Sequence, residues 1–279
     1  MTAQPAAAEL KRLGSLTIGY LPDGVIHAHP GHAYPQHAHL AQAPELDLLD
    51  DRGQLLLSVG ALFVESPDFR VLIDAGIGPR TIATPSPDPS TPAGAMTGGQ
   101  LLESLATVGM VPSDIDAVLL SHLHADHVGW ITPGDAQTQA TFPNAEYLLG
   151  ENEFAFWGRT ENASRLTAPT RQQYAVIGSR RRDLRNGDSP LPGITALLTP
   201  GHTPGHTSFI LDGGNGERAV VIGDAMHTTA EMAHPEMCWT GDLDPQTAIA
   251  SRQALVAELA KPGTYAIGPH FTGTVFPDA

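Results

Sequence analysis

The residues with the most specific chemistry lie in one short segment, Ser-His-Leu-His-Ala-Asp-His, at positions 121–127. It offers three imidazoles and one carboxylate, from His122, His124, His127 and Asp126. Neutral imidazole and carboxylate are groups that zinc and related divalent ions accept as ligands. A strand that ends at His122 would keep His122 and His124 on one side, while the next turn presents the other two in a second direction. The segment therefore predicts two pairs of ligands, as two neighbouring metal ions require.

Three further potential ligands follow apolar runs elsewhere in the chain. They are His202 in the sequence Thr-Pro-Gly-His-Thr-Pro-Gly-His, Asp224 after Val-Val-Ile-Gly, and His270 after Ala-Ile-Gly-Pro. Open α/β architectures place their functional groups where buried strands end. A carboxylate in such a place, Asp224, is suited to bridging two cations. Because chance agreement of four such blocks is remote, we expect these seven side chains to converge on one dinuclear centre.

These blocks resemble the metallo-β-lactamase superfamily, and the resemblance spans Ile73 to His270. A further block, Val-Leu-Ile-Asp-Ala-Gly at 71–76, matches the first motif of that family. The resemblance implies that His122, His124 and His202 hold a first metal ion, that Asp126, His127 and His270 hold a second, and that Asp224 bridges them. It also implies that Asp74 orients a ligand histidine. The expected cofactors are two divalent ions, with zinc as the first choice.

Two features of the sequence indicate which branch of that family the chain resembles. Many true β-lactamases of this fold use a cysteine where this chain has Asp224, and Cys238 is not in that place, so antibiotic hydrolysis is disfavoured. The block Gly-Asp-Ala-Met-His at 223–227, with Pro235 soon after, is similar to the branch that contains methyl parathion hydrolase. It is also close to the N-acyl-homoserine lactonases, which tend to have a tyrosine where His227 lies.

The ligand set predicts a metal-dependent hydrolase. Two adjacent divalent ions lower the pKa of a bridging water and supply hydroxide near neutral pH. The expected electrophile is ester-like: a lactone or aryl ester first, with a phosphotriester as a promiscuous substrate. Asp126 is expected to hold or relay the proton of the attacking water. His227 is expected to hydrogen-bond the substrate oxygen or protonate the leaving group, although a structural role for this histidine explains the sequence equally well.

Three alternatives to this function stay open. A thioesterase, glyoxalase II-like or of the polyketide type, would use the same mechanism, and the Thr-Pro-Gly-His repeat also occurs in glyoxalase II-like enzymes. A redox enzyme with a single iron, like the persulfide dioxygenases, or a flavodiiron protein would share the fold. A binding protein with an inactive site is disfavoured, because no ligand position is missing. Metal analysis discriminates the redox class from the hydrolases.

Short apolar runs and helical patterns alternate along the chain, which predicts an α/β protein and, with the family, a four-layer αββα sandwich in a single domain over 1–279. Predicted strands cover 16–21, 55–64, 69–73, 117–120, 146–149, 194–198, 207–211 and 219–222. One predicted helix begins near Gln100, and three others cover 151–157, 166–177 and 245–259. The segments 26–40 and 76–99 are predicted loops. The chain ends nine residues after His270, where relatives usually continue through another strand.

The overall charge restricts the partners of this protein. The 279 residues carry a formal net charge of -15, with 30 acidic against 15 basic side chains. This balance disfavours nucleic acid and anionic membrane surfaces, so the expected partner is a small-molecule substrate, and a homodimer is left open. No apolar run is long enough for a signal sequence or a membrane span, which favours a cytoplasmic location. The one cysteine, Cys238, is expected to be a small buried apolar residue.

The remaining histidines and large apolar residues have plainer explanations. The loop histidines are expected to lie in a solvated segment near the site rather than to form a further metal site: His27, His29, His32, His37 and His39. His206 is expected to be a hydrogen-bonded structural residue. Core packing is the first explanation for the large apolar side chains near the motifs, with lining of an apolar substrate pocket as the alternative: Trp130, Phe154, Trp157 and Trp239.

Overall fold

Two β-sheets form the centre of the molecule in the computed structural model, which describes residues 2–84 and 94–277. The strands are β1 (Glu9–Leu13), β2 (Leu16–Ala28), β3 (Leu55–Glu65), β4 (Arg70–Ile73), β5 (Thr81–Ala83), β6 (Ala95–Thr97), β7 (Ala117–Leu120), β8 (Glu146–Gly150), β9 (Arg181–Leu184), β10 (Ile194–Leu198), β11 (Thr207–Asp212), β12 (Arg218–Val221) and β13 (Thr264–Ile267). The helices are α1 (Pro30–Ala33), α2 (Ala38–Ala41), α3 (Leu101–Thr107), α4 (Glu153–Trp157), α5 (Thr160–Ala163), α6 (Arg171–Ser179), α7 (Ala230–Ala233) and α8 (Pro245–Leu259).

The larger sheet has nine strands in the order β5-β6-β2-β3-β4-β7-β8-β9, with β1 paired to β2. Its first part is antiparallel, whereas β4, β7, β8 and β9 run parallel. The smaller sheet has the order β10-β11-β12-β13 and is antiparallel except for the parallel pair β12 and β13. Parallel neighbours bring their carboxyl ends to the same edge, which is what the ligand blocks require.

Side chains alternate between the two faces of each strand, and on a central strand such as β7 both faces are buried. On β7, Leu119 packs with Phe209 of the smaller sheet in the core between the sheets. The next residue, Leu120, points to the other face and packs with Leu105 of α3. On the far side, Leu255 of α8 covers the smaller sheet. The layers are therefore helix, sheet, sheet and helix, which confirms the predicted αββα sandwich.

The strand ends deliver the predicted ligands to one edge of this sandwich. Asp74 follows β4, and His122 lies two residues after the end of β7, whose Leu119 pairs with Ile73. In the smaller sheet, Asp224 follows β12 and His270 follows its parallel neighbour β13. The site thus lies between the two sheets, where these strands end.

Two predicted loops contain strand structure. The strand predicted at 16–21 continues to Ala28, because a register shift between Pro22 and Gly24 lets β2 keep pairing with β3. The loop predicted over 76–99 contains β5 and β6, which pair with each other, and β6 also pairs with β2; its residues 85–93 lie outside the described part. The prediction of 26–40 as entirely loop was therefore wrong at its start, and α1 and α2 are short helices within the rest.

Several other elements also differ from the predictions. α6 begins at Arg171 rather than at 166, because Thr170 caps it: Thr170 Oγ1 accepts from the Gln173 amide at 3.2 Å, and the Gln173 side chain accepts from the Thr170 amide at 2.9 Å. α4 begins at Glu153. Strand β9 was not predicted, since its sequence is Arg-Arg-Asp-Leu and its first three residues are exposed. Among the described residues, no helix has the length and apolar character needed to cross a bilayer.

Candidate metal centre

The structure brings the seven predicted ligands together in two groups that share one residue. The first group is His122, His124, His202 and Asp224, and the second is Asp126, His127, Asp224 and His270. Within each group, one ligand atom from every residue lies within 4.8 Å of the others, and all seven side chains are buried. The membership of these groups agrees with the sequence blocks, and their division agrees with what the family resemblance implied.

The two oxygens of Asp224 face different groups. Its Oδ2 lies 3.3 Å from His202 Nε2 and 3.7 Å from His122 Nε2. Its Oδ1 lies 3.1 Å from His127 Nε2 and 3.0 Å from His270 Nε2. This is the geometry expected of a carboxylate that bridges two cations.

The remaining distances are also short within each group. His124 Nδ1 lies 2.9 Å from His202 Nε2 in the first group. In the second group, His127 Nε2 lies 3.3 Å from His270 Nε2, and Asp126 Oδ2 lies 3.5 Å from His127 Nε2. The nitrogen and oxygen atoms of each group are therefore close enough together to bind one ion.

These residues fit two divalent ions. His122 Nε2 and Asp224 Oδ1 are buried and have no hydrogen-bond partner, a condition that costs free energy unless another ligand satisfies them. Burial, and then the neighbouring histidines, hold the pKa of His122 and of His124 well below the usual range, so both rings are neutral, as metal ligands must be. Burial opposes a charge on His127, but the carboxylates of Asp224 and Asp126 raise its pKa well above its usual value. The second group thus has surplus negative charge that a cation would balance.

Hydrogen bonds on the far ring nitrogens fix how three of the histidines point. His127 Nδ1 lies 2.9 Å from Asp74 Oδ2, and His270 Nδ1 lies 2.7 Å from the carbonyl oxygen of Ser58. His202 Nδ1 lies 3.2 Å from Asp242 Oδ1. A ring that donates from Nδ1 keeps Nε2 free for a metal. The position of Asp74 is the one that its predicted orienting role requires.

Asp74 itself occupies an unusual backbone position. Its φ is 63°, in the left-handed region that non-glycine residues rarely adopt. The same carboxylate accepts from the Ser121 amide and from Ser121 Oγ, both at 2.8 Å. These bonds attach the end of β4 to the beginning of the ligand segment, which explains how the strained position is maintained.

His206 lies beside the centre but belongs to neither ligand group. Its Nδ1 is 2.9 Å from Thr199 Oγ1, and its Nε2 accepts from the Asp224 amide at 2.9 Å. Burial lowers its pKa to about 3, so the ring is neutral and its Nε2 can accept. As predicted, this histidine is structural, and it fixes the backbone of Asp224.

His227 faces the centre from one side. Its Nε2 lies 3.3 Å from Asp224 Oδ2, and its ring stacks on Trp239 with centroids 4.2 Å apart. Its Nδ1 lies 3.6 Å from Glu231 Oε1, and the other Glu231 oxygen accepts from the His227 amide and from Tyr34 Oη. Burial opposes its protonation, but Asp224 and Glu231 raise the pKa of His227 to about 10.

The centre forms the floor of a cavity of about 710 Å³. One wall is apolar and comes from the β2, β3 and β6 strands and the segment after α7: Ile26, Ala28, Leu57, Met96 and Trp239. The lining also includes Arg165, Leu166 and Thr167, from the segment between α5 and α6. Such a cavity suits a small, largely neutral molecule that reaches the floor with one polar group.

Of the four large apolar residues considered from the sequence, Trp239 lines this cavity. Trp157 lies behind the ligands, with its ring 5.3 Å from that of His124. The other two have roles in packing, since Trp130 Nε1 donates to Asp23 and Phe154 stacks on Tyr174.

The loop histidines do not form a further ligand group among the described residues. His32 lines the cavity, so this part of the segment does cap the site. His27 lies on β2 and its Nδ1 is 2.8 Å from Asp50 Oδ2. Cys238 is partly exposed, which corrects the expectation of a buried residue, because it lies in the loop between α7 and α8.

Two buried carboxylates next to the ligands were missed from the sequence. Asp242 contacts both His202 and Arg252, whose Nη1 lies 3.2 Å from Asp242 Oδ2. Glu153 connects the loops that contain His124 and His202. Both lie far from the ligands in sequence, and no local pattern distinguishes them from their exposed neighbours Glu151 and Asp244.

The family assignment rests on a match that covers most of the chain. The family model described as the metallo-beta-lactamase superfamily matches residues 56–270. The chain belongs to this superfamily. The match confirms the resemblance that the ligand blocks predicted.

The chain is similar to known lactonases and to another hydrolase. N-acyl homoserine lactonase AiiA of Bacillus thuringiensis subsp. kurstaki is 26% identical over 215 residues, covering 73% of this chain and 77% of the relative. The solved structure of AidC, a dizinc quorum-quenching lactonase in complex with a product, has a TM-score of 0.78 and 25% identity, with 95% of this chain and 91% of AidC covered. The hydrolase AbOPH has a TM-score of 0.74 and 28% identity, with 96% and 91% covered. The two ligand groups and these similarities show that this chain is a metal-dependent hydrolase with two divalent ions.

Proposed function

We propose that this hydrolase opens the ester bond of a lactone, with N-acyl homoserine lactones as the first substrate class and zinc as its metal. One observation carries the proposal: the shared carboxylate of Asp224 joins two ligand groups on the floor of a largely apolar cavity. The curated relative AiiA is an N-acyl homoserine lactonase, and the solved relative AidC is a dizinc lactonase. Both support the same substrate class and metal.

The proposed ligand assignment follows the two groups. His122, His124 and His202 would hold one ion, Asp126, His127 and His270 the other, and Asp224 both. When bound, such a pair of ions activates water and polarises the electrophilic oxygen. This chemistry applies to any ester-like substrate that reaches the floor.

Two residues would move protons during the reaction. Asp126 lines the cavity, and its Oδ2 lies 3.7 Å from His270 Nε2, so it can accept the proton of the attacking water. His227 also lines the cavity and can hydrogen-bond the substrate oxygen or protonate the leaving alkoxide. The stacked ring of Trp239 supports that orientation of His227.

The cavity walls favour a neutral substrate with an apolar substituent. Ile26, Leu57 and Met96 offer an apolar surface along which an acyl chain can lie. The net charge of -15 disfavours strongly anionic substrates. An acylated lactone satisfies both conditions, and an aryl ester satisfies them with a ring beside Trp239.

The test is an activity screen on purified, zinc-loaded protein with and without chelator. The panel contains N-acyl homoserine lactones of increasing chain length, an aryl ester, a thioester and a phosphotriester. The proposal is supported if the lactones are hydrolysed with a higher kcat/KM than the other substrates. This activity should be lost with chelator and restored by zinc. A higher kcat/KM for the thioester would favour the thioesterase alternative, and a single iron per chain with no hydrolysis would favour the redox class.

Two predictions about the setting of the enzyme are part of this proposal. Formation of a homodimer is tested by light scattering coupled to size-exclusion chromatography. A mass near 29.4 kDa, which is that of a single chain, would contradict it. The cytoplasmic location is tested by fractionation of the cells that produce the protein.

A further inference from the structure

One buried carboxylate connects the two loops that supply the first ligand group. Glu153 is the first residue of α4 and is 0% exposed. Its Oε1 accepts from the Leu123 amide at 3.0 Å and from Trp157 Nε1 at 2.7 Å. Its Oε2 accepts from Thr203 Oγ1 at 2.7 Å and from the Gly205 amide at 3.0 Å. Four donors therefore converge on one carboxylate.

The donors lie directly beside metal-ligand positions. Leu123 stands between His122 and His124, and Thr203 follows His202. In space, His124 Nδ1 and His202 Nε2 are 2.9 Å apart, although the two residues come from different sheets of the sandwich. Glu153 thus connects the two loops at the point where both present a ligand.

The packing around this carboxylate leaves little freedom. A Cβ atom added to Gly205 would lie 2.6 Å from the Cβ of Glu153, so the loop rests directly on the beginning of α4. The indole of Trp157, which donates to Glu153, packs its ring 5.3 Å from that of His124. Both contacts transmit the position of Glu153 to the ligands.

The second group depends on a different carboxylate. Asp74 contacts His127 Nδ1 directly, and none of the hydrogen bonds of Glu153 reaches Asp126, His127 or His270. We infer that Glu153 is a positioning residue that sets the metal affinity of the first group and leaves that of the second unchanged. This inference rests on the proposed ligand assignment and goes beyond it by giving the two sites separate supports.

The informative substitution is Glu153→Gln, which keeps the size of the side chain. All four partners of Glu153 are hydrogen-bond donors. An amide nitrogen in place of either oxygen would face two of these donors and could accept neither hydrogen bond. The loops that hold His124 and His202 then lose their fixed separation. Substitution of outer groups that orient metal ligands weakens metal affinity about 10- to 100-fold, and we expect about tenfold here because Glu153 acts through backbone.

The experiment measures zinc affinity of the metal-free protein by competition with a chromophoric chelator, without any substrate. Glu153→Gln is made in two backgrounds. The His270→Ala background keeps all four residues of the first group, and the His124→Ala background keeps all four residues of the second. We expect about tenfold weaker binding in the His270→Ala background only. The exposed residue Glu151, two positions away, provides the matched control Glu151→Gln, which should change neither affinity.

Each result decides the inference. Equal weakening in both backgrounds, or in neither, overturns it while the proposed centre stands. A wild-type protein that binds fewer than two zinc ions overturns the proposed centre and this inference with it. If Glu153→Gln does not fold, Thr203→Val removes one donor to the same carboxylate and should weaken the same site to a smaller extent; unchanged affinity of that variant overturns the inference.

Discussion

At the scale of single residues, the centre combines side chains whose far ends are already engaged. His127, His202 and His270 each have Nδ1 next to an oxygen, from Asp74, Asp242 and Ser58. Such contacts select the tautomer and restrict ring rotation before any ion arrives. His227 differs, because its ring is positioned by stacking on Trp239 rather than by a short hydrogen bond. This difference fits a residue that meets the substrate instead of a metal.

The role of His227 can be tested by substitution. His227→Phe keeps a ring against Trp239 but removes the proton, so we expect kcat for lactone hydrolysis to fall about 100-fold while two metal ions remain bound. His234→Phe is the matched control, since His234 is partly exposed and contacts Glu236. Steady-state kinetics and metal analysis give the result. An unchanged kcat would make His227 a structural histidine.

Residue types and spacing were enough to propose all seven ligands, and the family resemblance added the orienting position of Asp74. They were not enough to find Glu153, Asp242 or Glu231. A ligand block has a local signature because several ligands follow one strand end. A buried carboxylate that receives donors from distant loops has no such signature, since its partners are defined only when the chain is folded.

At the scale of elements, parallel strand pairs explain why the predicted blocks meet. β4 and β7 end side by side, as do β12 and β13, so ligands from distant segments arrive at one edge. The core strands were predictable because both of their faces are apolar. The strands β5, β6 and β9 were not, because they are short, lie toward the sheet edges and carry polar residues whose pairing depends on their neighbours.

Another carboxylate connects the elements around the cavity. Asp23, in the bulged part of β2, is 0% exposed. Its oxygens accept from the amides of Ile77, Gly78, Gly99 and Leu101 and from Trp130 Nε1, at 2.7 to 3.0 Å. It therefore ties β2 to the segment after β4 and to the beginning of α3.

We expect Asp23→Asn to destabilise the protein by about 3 kcal/mol, because an amide nitrogen would face buried donors that then lack an acceptor. The free energy of unfolding is measured by urea denaturation. Asp68→Asn, at an exposed turn, is the control and should change stability by less than about 0.5 kcal/mol. Equal stability of the two variants would show that the Asp23 bonds do not stabilise the fold.

At the scale of the whole molecule, the centre lies where the two sheets meet, and its ligands come from both. His122 and His127 follow β7 of the larger sheet, whereas Asp224 and His270 follow strands of the smaller one. Ions bound here would therefore hold the two halves of the sandwich together. The single-domain organisation predicted from the sequence implies that both halves unfold in one transition.

Zinc should accordingly stabilise the folded state. At a free zinc concentration about 100 times the dissociation constant, each site adds about 2.7 kcal/mol to the free energy of unfolding, provided that the unfolded chain binds none. Urea denaturation with buffered zinc and with chelator measures the difference. The variant His270→Ala should gain less than the wild type. Superimposable unfolding curves in zinc and in chelator would contradict binding between the sheets.

The placement of the aromatic rings gives the protein an optical reporter. Of its three tryptophans, Trp157 packs against His124 and Trp239 against His227, while Trp130 is bonded to Asp23. Occupation of the first ligand group alters the surroundings of one indole, and a molecule entering the cavity alters those of another. Intrinsic fluorescence can therefore follow both events without any added label, and the variants Trp157→Phe and Trp239→Phe separate the two signals.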